Sequence, residues 1–193
     1  MSTKENILKN ALELFSDEGY ENTGVQKIAE VCGVTKPTLY HYFGSKEGIL
    51  EEIFAQKLSI FFEKLNKAAF FEKSHEEYAL RSTLENVISC FFNFASHEMK
   101  FYKFYLLSAV SFNHSQLNRV SENYHKKQFE IVKQIFFEAE KLHGNMKGRA
   151  SRFTVSFIGM INSYITLMYV ENETLGRKDV KEACRQFMHG IFS

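Results

Sequence analysis

Between Thr35 and Lys46 the chain carries three hydroxyl residues, two lysines, a histidine and two tyrosines, and no aspartate or glutamate. The whole protein is charge-balanced, with 24 Lys+Arg against 23 Asp+Glu and a formal net charge of +1. A stretch of donors without carboxylates is what a polyanionic backbone requires of its partner, because each cation placed on a phosphate releases condensed counterions. Leu39 and Phe43, at i and i+4, predict a helix that anchors inward. Lys36, Pro37, Thr38, Tyr40 and His41 then share the opposite face. Tyr40 could instead be core, and His41 an ordinary surface histidine. The balanced total rules out a global basic field, so any role with nucleic acid rests on this local patch.

The elements that must position this face are legible just upstream. Val25, Ile28, Ala29 and Cys32 fall at i, i+3, i+4 and i+7, which predicts a short helix with one buried side. Gly33 suits the positive φ of a tight turn. Thr35 suits an N-cap, and Pro37 fits the first helical turn, where a missing N–H costs nothing. Two short helices joined by a Gly-containing turn are the grammar of a helix-turn-helix. Ser45 can cap the helix that follows, whose positive end adds to the attraction for phosphate.

Around this segment the pattern is all-α. Ser2 with Glu5 and Ser74 with Glu77 have the spacing of capping boxes. Helices are expected over about residues 2–18, 25–32, 35–43, 46–71, 74–94, 98–110, 116–143, 149–171 and 178–191, with no strand. The single Pro favours long uninterrupted helices. The expected division is a DNA-binding domain over 1–46 and a larger helical domain for ligand binding and dimerisation over 47–193.

Gly19-Tyr20, Thr23, Ile28-Ala29, Gly33-Val34-Thr35, Leu39-Tyr40-His41-Tyr42-Phe43, Ser45-Lys46-Glu47 and Leu50 together resemble the N-terminal motif of the tetracycline-repressor (TetR) family. The resemblance covers about the first 50 residues; beyond them only length and helix count agree. Gly24 and Pro37 depart from residues common in the family, and Gly24 weakens the cap of the second helix unless Thr23 serves. The resemblance implies a homodimer acting as a ligand-released repressor; a cytoplasmic location with reduced thiols is expected from the N-terminal residues 1–6, which lack the apolar stretch of a secretory signal, and from the unpaired cysteine pattern. The dimer's third helices would enter successive major grooves of a pseudo-palindromic operator, about 34–36 Å apart. Carried over by position, Thr38 and Lys36 would reach bases and Pro37 a thymine methyl. Tyr40, His41 and Lys46 would grip phosphate, with Thr35 at the cap and Thr23 and Lys27 at the flank. Lys27 is equally readable as a solvated charge.

In the larger part, the helix over 149–171 is apolar around nearly its whole circumference, with small Ser156, Gly159 and Ser163. With the last helix it predicts a four-helix dimer interface. The residues expected there are Phe157, Met160, Ile161, Tyr164, Met168, Ala183, Phe187, Met188 and Ile191. A surplus of aromatic residues suggests a pocket for a flat or greasy effector. Phe61, Phe91, Phe94, Phe104, Tyr105, Phe129 and Ile158 would form its wall, and Asn162 and Thr166 its polar groups. Ordinary core packing is the competing reading of the same residues. The helix from Lys46 is expected to couple effector to operator.

Other functions find little support. No glycine-rich phosphate loop, G-x-S-x-G or H-E-x-x-H occurs, so neither an enzyme nor a bound cofactor is expected. No metal site is expected either, and the alternatives are a metal- or redox-responsive regulator of the same fold or a helical partner-binding protein that does not bind DNA. His75 with Glu76 and Glu77 is a weak cluster, and Cys32, Cys90 and Cys184 form no C-x-x-C pair. No uninterrupted apolar run approaches the ~18 residues of a membrane span, so no membrane role is expected.

Overall fold

The computed structural model describes residues 2–72, 77–111 and 115–189. Among these residues there are nine α-helices, one 3₁₀ turn and no strand: α1 (Thr3–Glu18), α2 (Val25–Cys32), α3 (Lys36–Phe43), α4 (Lys46–Ala68), α5 (Glu77–His97), α6 (Met99–Ser108), α7 (Gln116–Ala139), α8 (Ala150–Glu171) and α9 (Arg177–His189). The Ser74 cap, the His75 and Glu76 cluster and Ile191 lie outside the described residues.

The helix starts follow the capping pattern. Ser2 Oγ accepts from the Glu5 amide at 3.2 Å and Glu5 returns the bond to the Ser2 amide at 2.7 Å. Ser45 Oγ accepts from the Gly48 amide at 3.0 Å and caps α4. Helix ends are less faithful to the apolar pattern. α4 stops at Ala68, although Phe71 beyond it is buried. The last carbonyls are met instead by the Ala69 and Phe70 amides as the chain turns off the helix. Likewise α7 stops at Ala139 and residues 140–143 form turns, with the Leu142 amide on the Ala139 carbonyl at 3.0 Å.

By packing, the chain forms two compact units. The first comprises residues 1–60 and 98–125, and its core gathers Ile7, Leu8, Ala11 and Phe15 of α1, Ile49, Ile53 and Phe54 of α4, and Phe101, Phe104 and Tyr105 of α6. The Phe15 ring stacks on Phe104 at 6.3 Å, and Phe54 meets Phe101 edge-on at 5.4 Å. The second comprises residues 61–97 and 126–193. There α5 packs on both α8 and α9, and Phe136, Phe157 and Phe187 form a ring cluster with centroids 4.8–5.8 Å apart. Packing therefore divides the chain elsewhere than the functional boundary read at residues 46/47. The cause is α6, whose aromatic face buries against α1.

The second unit moves several residues from their expected places. Phe157, Ile161, Met168 and Ala183, read as dimer interface, are buried in the unit's own core, while Met160, Tyr164, Phe187 and Met188 are half-buried. The face α8 turns outward carries Ser156, Gly159, Ser163 and Thr166, with Val155, Leu167 and Val170 exposed by 63, 52 and 76 %. The helix was apolar on two sides, and the pattern alone did not say which side the chain covers itself. By length and composition α8 also passes as a membrane span, which a search for an unbroken apolar run missed. Its interruptions are near-neutral Ser, Gly and Thr, and only 28 % of the apolar window is buried within the single chain.

Candidate nucleic-acid interface

α2 and α3 are joined through Gly33, which adopts φ 66° and ψ 32° and donates from its amide back into the end of α2. Thr35 caps α3, its hydroxyl accepting from the Thr38 amide at 3.3 Å, and Pro37 sits in the first turn. Leu39 is buried and Phe43 half-buried. Their anchoring fixes the rotation of α3, so Lys36, Pro37, Tyr40 and His41 are all exposed, Tyr40 by 49 %. Tyr42 is exposed as well, its ring edge-on to His41 at 5.6 Å. The ridge read from the sequence is thus an outward surface, and Tyr40 is not core.

Other expected contacts are already engaged. Thr23 is fully buried, its hydroxyl donating to the Gly19 carbonyl at 2.9 Å. It supports the bend after α1, and its side chain does not reach a surface. Nor does it cap α2, whose N-cap is Gly24 without a side-chain bond. Lys27 pairs with Glu18 at 2.6 Å, which cancels its charge at the flank. Lys46 donates to the Tyr20 carbonyl at 2.9 Å and lies 4.1 Å from the centre of the Tyr20 ring. Burial holds its ammonium below the usual lysine range. Thr38 shares its hydroxyl with Thr35 at 2.9 Å, so it must rotate to read a base.

Sequence reasoning missed Gly48. A Cβ there would lie 2.0 Å from the Phe43 carbonyl oxygen, so the start of α4 can meet the end of α3 only through a glycine. The available signal was a glycine inside a helical pattern, which costs about 1 kcal/mol relative to alanine and calls for a packing reason.

The expected pocket residues do not form one set. Phe61, Phe91 and Phe94 cluster in the second unit, with Phe61 stacked on Phe94 at 4.4 Å. Phe104 and Tyr105 belong to the core of the first unit. Phe129, Ile158 and Asn162 are half-buried. Thr166 is exposed, its hydroxyl donating to the Asn162 carbonyl at 2.8 Å. A cavity of about 650 Å³ does open in the first unit, but Tyr42, Glu47, Glu51, Arg119 and Tyr124 are among its lining and none of the expected pocket residues is.

Burial raises the thiols of all three cysteines, Cys90 to about 11 and Cys184 to about 12, which keeps them protonated and unreactive at neutral pH. Among the described residues no three His, Cys, Asp or Glu side chains converge as metal ligands.

The fold and the outward ridge define the class of all-helical helix-turn-helix proteins. Residues 7–53 match the family described as bacterial regulatory proteins, tetR family. It is 27 % identical over 99 residues to the biofilm operon icaADBC HTH-type negative transcriptional regulator IcaR of Staphylococcus aureus (strain Newman), an alignment covering 51 % of each chain. The chain thus spans about half the length of the curated relatives it matches. Among solved structures it resembles FadR of Bacillus subtilis, in complex with stearoyl-CoA (TM-score 0.72, 22 % identity, 97 % of this chain and 98 % of that one). PfmR of Thermus thermophilus, a TetR-family regulator, has a TM-score of 0.68 at 23 % identity, over 96 % and 98 % of the two chains. These two likenesses establish the fold.

Proposed function

We propose that the protein is a dimeric, operator-binding repressor, cytoplasmic and without catalytic activity, in which residues 1–46 hold DNA and residues 47–193 carry effector binding and pairing. The observation that carries this reading is the rotation of α3. Its leucine is buried, and Lys36, Pro37, Tyr40 and His41 stand outward on a stretch without a carboxylate. A helix of this length fits the major groove, where Lys36 and Thr38 read base edges and Tyr40 and His41 meet phosphate. Lys36 has no ion-pair partner among the described residues, whereas Lys27 pairs with Glu18 and Lys46 is held by the Tyr20 carbonyl.

Pairing uses the outward face of α8. Its small residues allow close helix approach and its exposed Val155, Leu167 and Val170 supply apolar area. Two copies related by a two-fold axis then present two α3 helices to one side of a duplex. The effector is a small, largely apolar molecule. The ring-rich interior of the second unit supports an apolar ligand, as does the stearoyl chain of the stearoyl-CoA named in the B. subtilis FadR structure.

Footprinting on genomic fragments that include DNA beside the protein's own gene tests the reading. The expected result is a protected pseudo-palindrome with half-sites one helical turn, or a whole number of turns, apart. Binding that is equal on every fragment, or absent from all of them, would sink it.

A further inference from the structure

Tyr20 lies at the bend between α1 and α2 and makes three kinds of contact at once. Its carbonyl accepts from Lys46, the first residue of α4. Its ring lies under the same ammonium, 4.1 Å away. Its hydroxyl donates at 2.9 Å to Oε1 of Gln116, the first residue of α7. The residue is only 2 % exposed, and burial pushes its phenol far above its ordinary pKa, so it remains a donor at any physiological pH. The ring itself is fixed edge-on against Phe15 at 5.0 Å.

The start of α7 is tied to α6 through Ser121 and His125, which both bond Ser108, but its side toward the first turns of α4 is open. The cavity of about 650 Å³ separates Arg119, Val120, Asn123 and Tyr124 of α7 from Glu47, Gly48, Glu51 and Ala55 of α4. Where an open cavity replaces packing, a directional hydrogen bond carries position that side-chain contact cannot. α7 is also a continuous helix from residue 116 to 139, and its later part belongs to the second unit. A shift of α7 along its axis therefore moves Gln116, and the Tyr20 hydroxyl is the group at the α1–α2 bend that is bonded to it.

We infer that Tyr20 is a positioning residue that transmits the placement of α7, through Gln116, to the bend and the Lys46 end that set the DNA-holding helices. The inference rests on the operator-binding reading and adds a second route beside the continuous α4. It requires no contact between Tyr20 and DNA.

Tyr20→Phe keeps the ring, the stacked ammonium and the carbonyl, and removes only the hydroxyl. Gln116→Leu removes the acceptor and leaves a buried donor unpaired, which costs more than losing both partners. In the full-length protein, Tyr20→Phe is expected to weaken operator affinity about threefold to tenfold, the range of one net hydrogen bond. Its melting temperature should stay near that of the parent. Gln116→Leu should weaken affinity at least as much and lower the melting temperature. The double variant should regain stability over Gln116→Leu and bind operator no more weakly than it does. Additive losses, or affinities within twofold of the parent, would overturn the inference. Hydrogen exchange on the DNA-free protein provides a readout independent of operator binding: faster exchange over residues 25–43 in Tyr20→Phe supports the link, and unchanged exchange overturns it. If the parent protects no DNA fragment, the operator-binding reading fails while this exchange measurement still decides the link.

Discussion

Two of the residues carried over from the motif do internal work, and the reason neither was readable from sequence is the same. Thr23 spends its hydroxyl on Gly19, and Lys46 spends an ammonium proton on Tyr20, a partner 26 positions away. Residue type indicates a donor; only the fold indicates that the donor is taken. Lys36 has no ion-pair partner among the described residues, so Lys36→Ala should flatten the salt dependence of operator affinity by about one contact and leave stability unchanged. Lys46→Ala, by contrast, should lower the melting temperature as well as affinity. Measuring both variants across a salt series separates the two roles, and equal melting temperatures would contradict the tie to Tyr20. His125 gives a second check at this scale. It stacks on Tyr105 at 4.1 Å and bonds Ser108 at 2.9 Å, and burial holds its pKa down at about 4, against 6.5 for a free imidazole. Between those values the unfolded chain binds the extra proton, so stability falls as pH drops from 6.5 toward 4. The loss amounts to about 3 kcal/mol from this group. His125→Gln should remove about one proton from the acid slope of the unfolding free energy; an unchanged slope would count against the buried neutral ring.

At the scale of elements, the order and type of the helices were legible because caps and breakers are local. Ser2 with Glu5, Gly33, Thr35, Pro37 and Ser45 each act within four residues of their own position. Ends and faces were less legible. The buried Phe71 extended the apolar pattern past the true end of α4, and α8 offered two apolar sides of which the chain covers one. That distinction is testable. Phe157→Ala removes a ring packed between Phe136 and Phe187 and should destabilise the chain by about 3–5 kcal/mol. Leu167→Glu, on the outward side, should leave the fold intact and shift the protein from dimer to monomer in sedimentation. A dimer that survives Leu167→Glu would place the interface on another surface. Gly33→Ala isolates the turn between α2 and α3. A methyl there meets open space, so the expected loss of about 1–2 kcal/mol comes only from its φ of 66°.

For the molecule as a whole, the helix-turn-helix could be read without coordinates because its residues lie close together in sequence. The compact units could not, because they are assembled from separated stretches: α6, which begins only at Met99, completes the core beneath α1 and α4. The same distance explains why one list of aromatic residues mixed two cores. The bare flank of α8 also carries a consequence for dosage. If pairing through Val155, Leu167 and Val170 is of modest strength, the number of competent repressors grows with the square of the number of chains when chains are scarce. Operator occupancy would then respond to synthesis as a threshold, nearly silent at a few copies and closing sharply once protomers meet faster than they part.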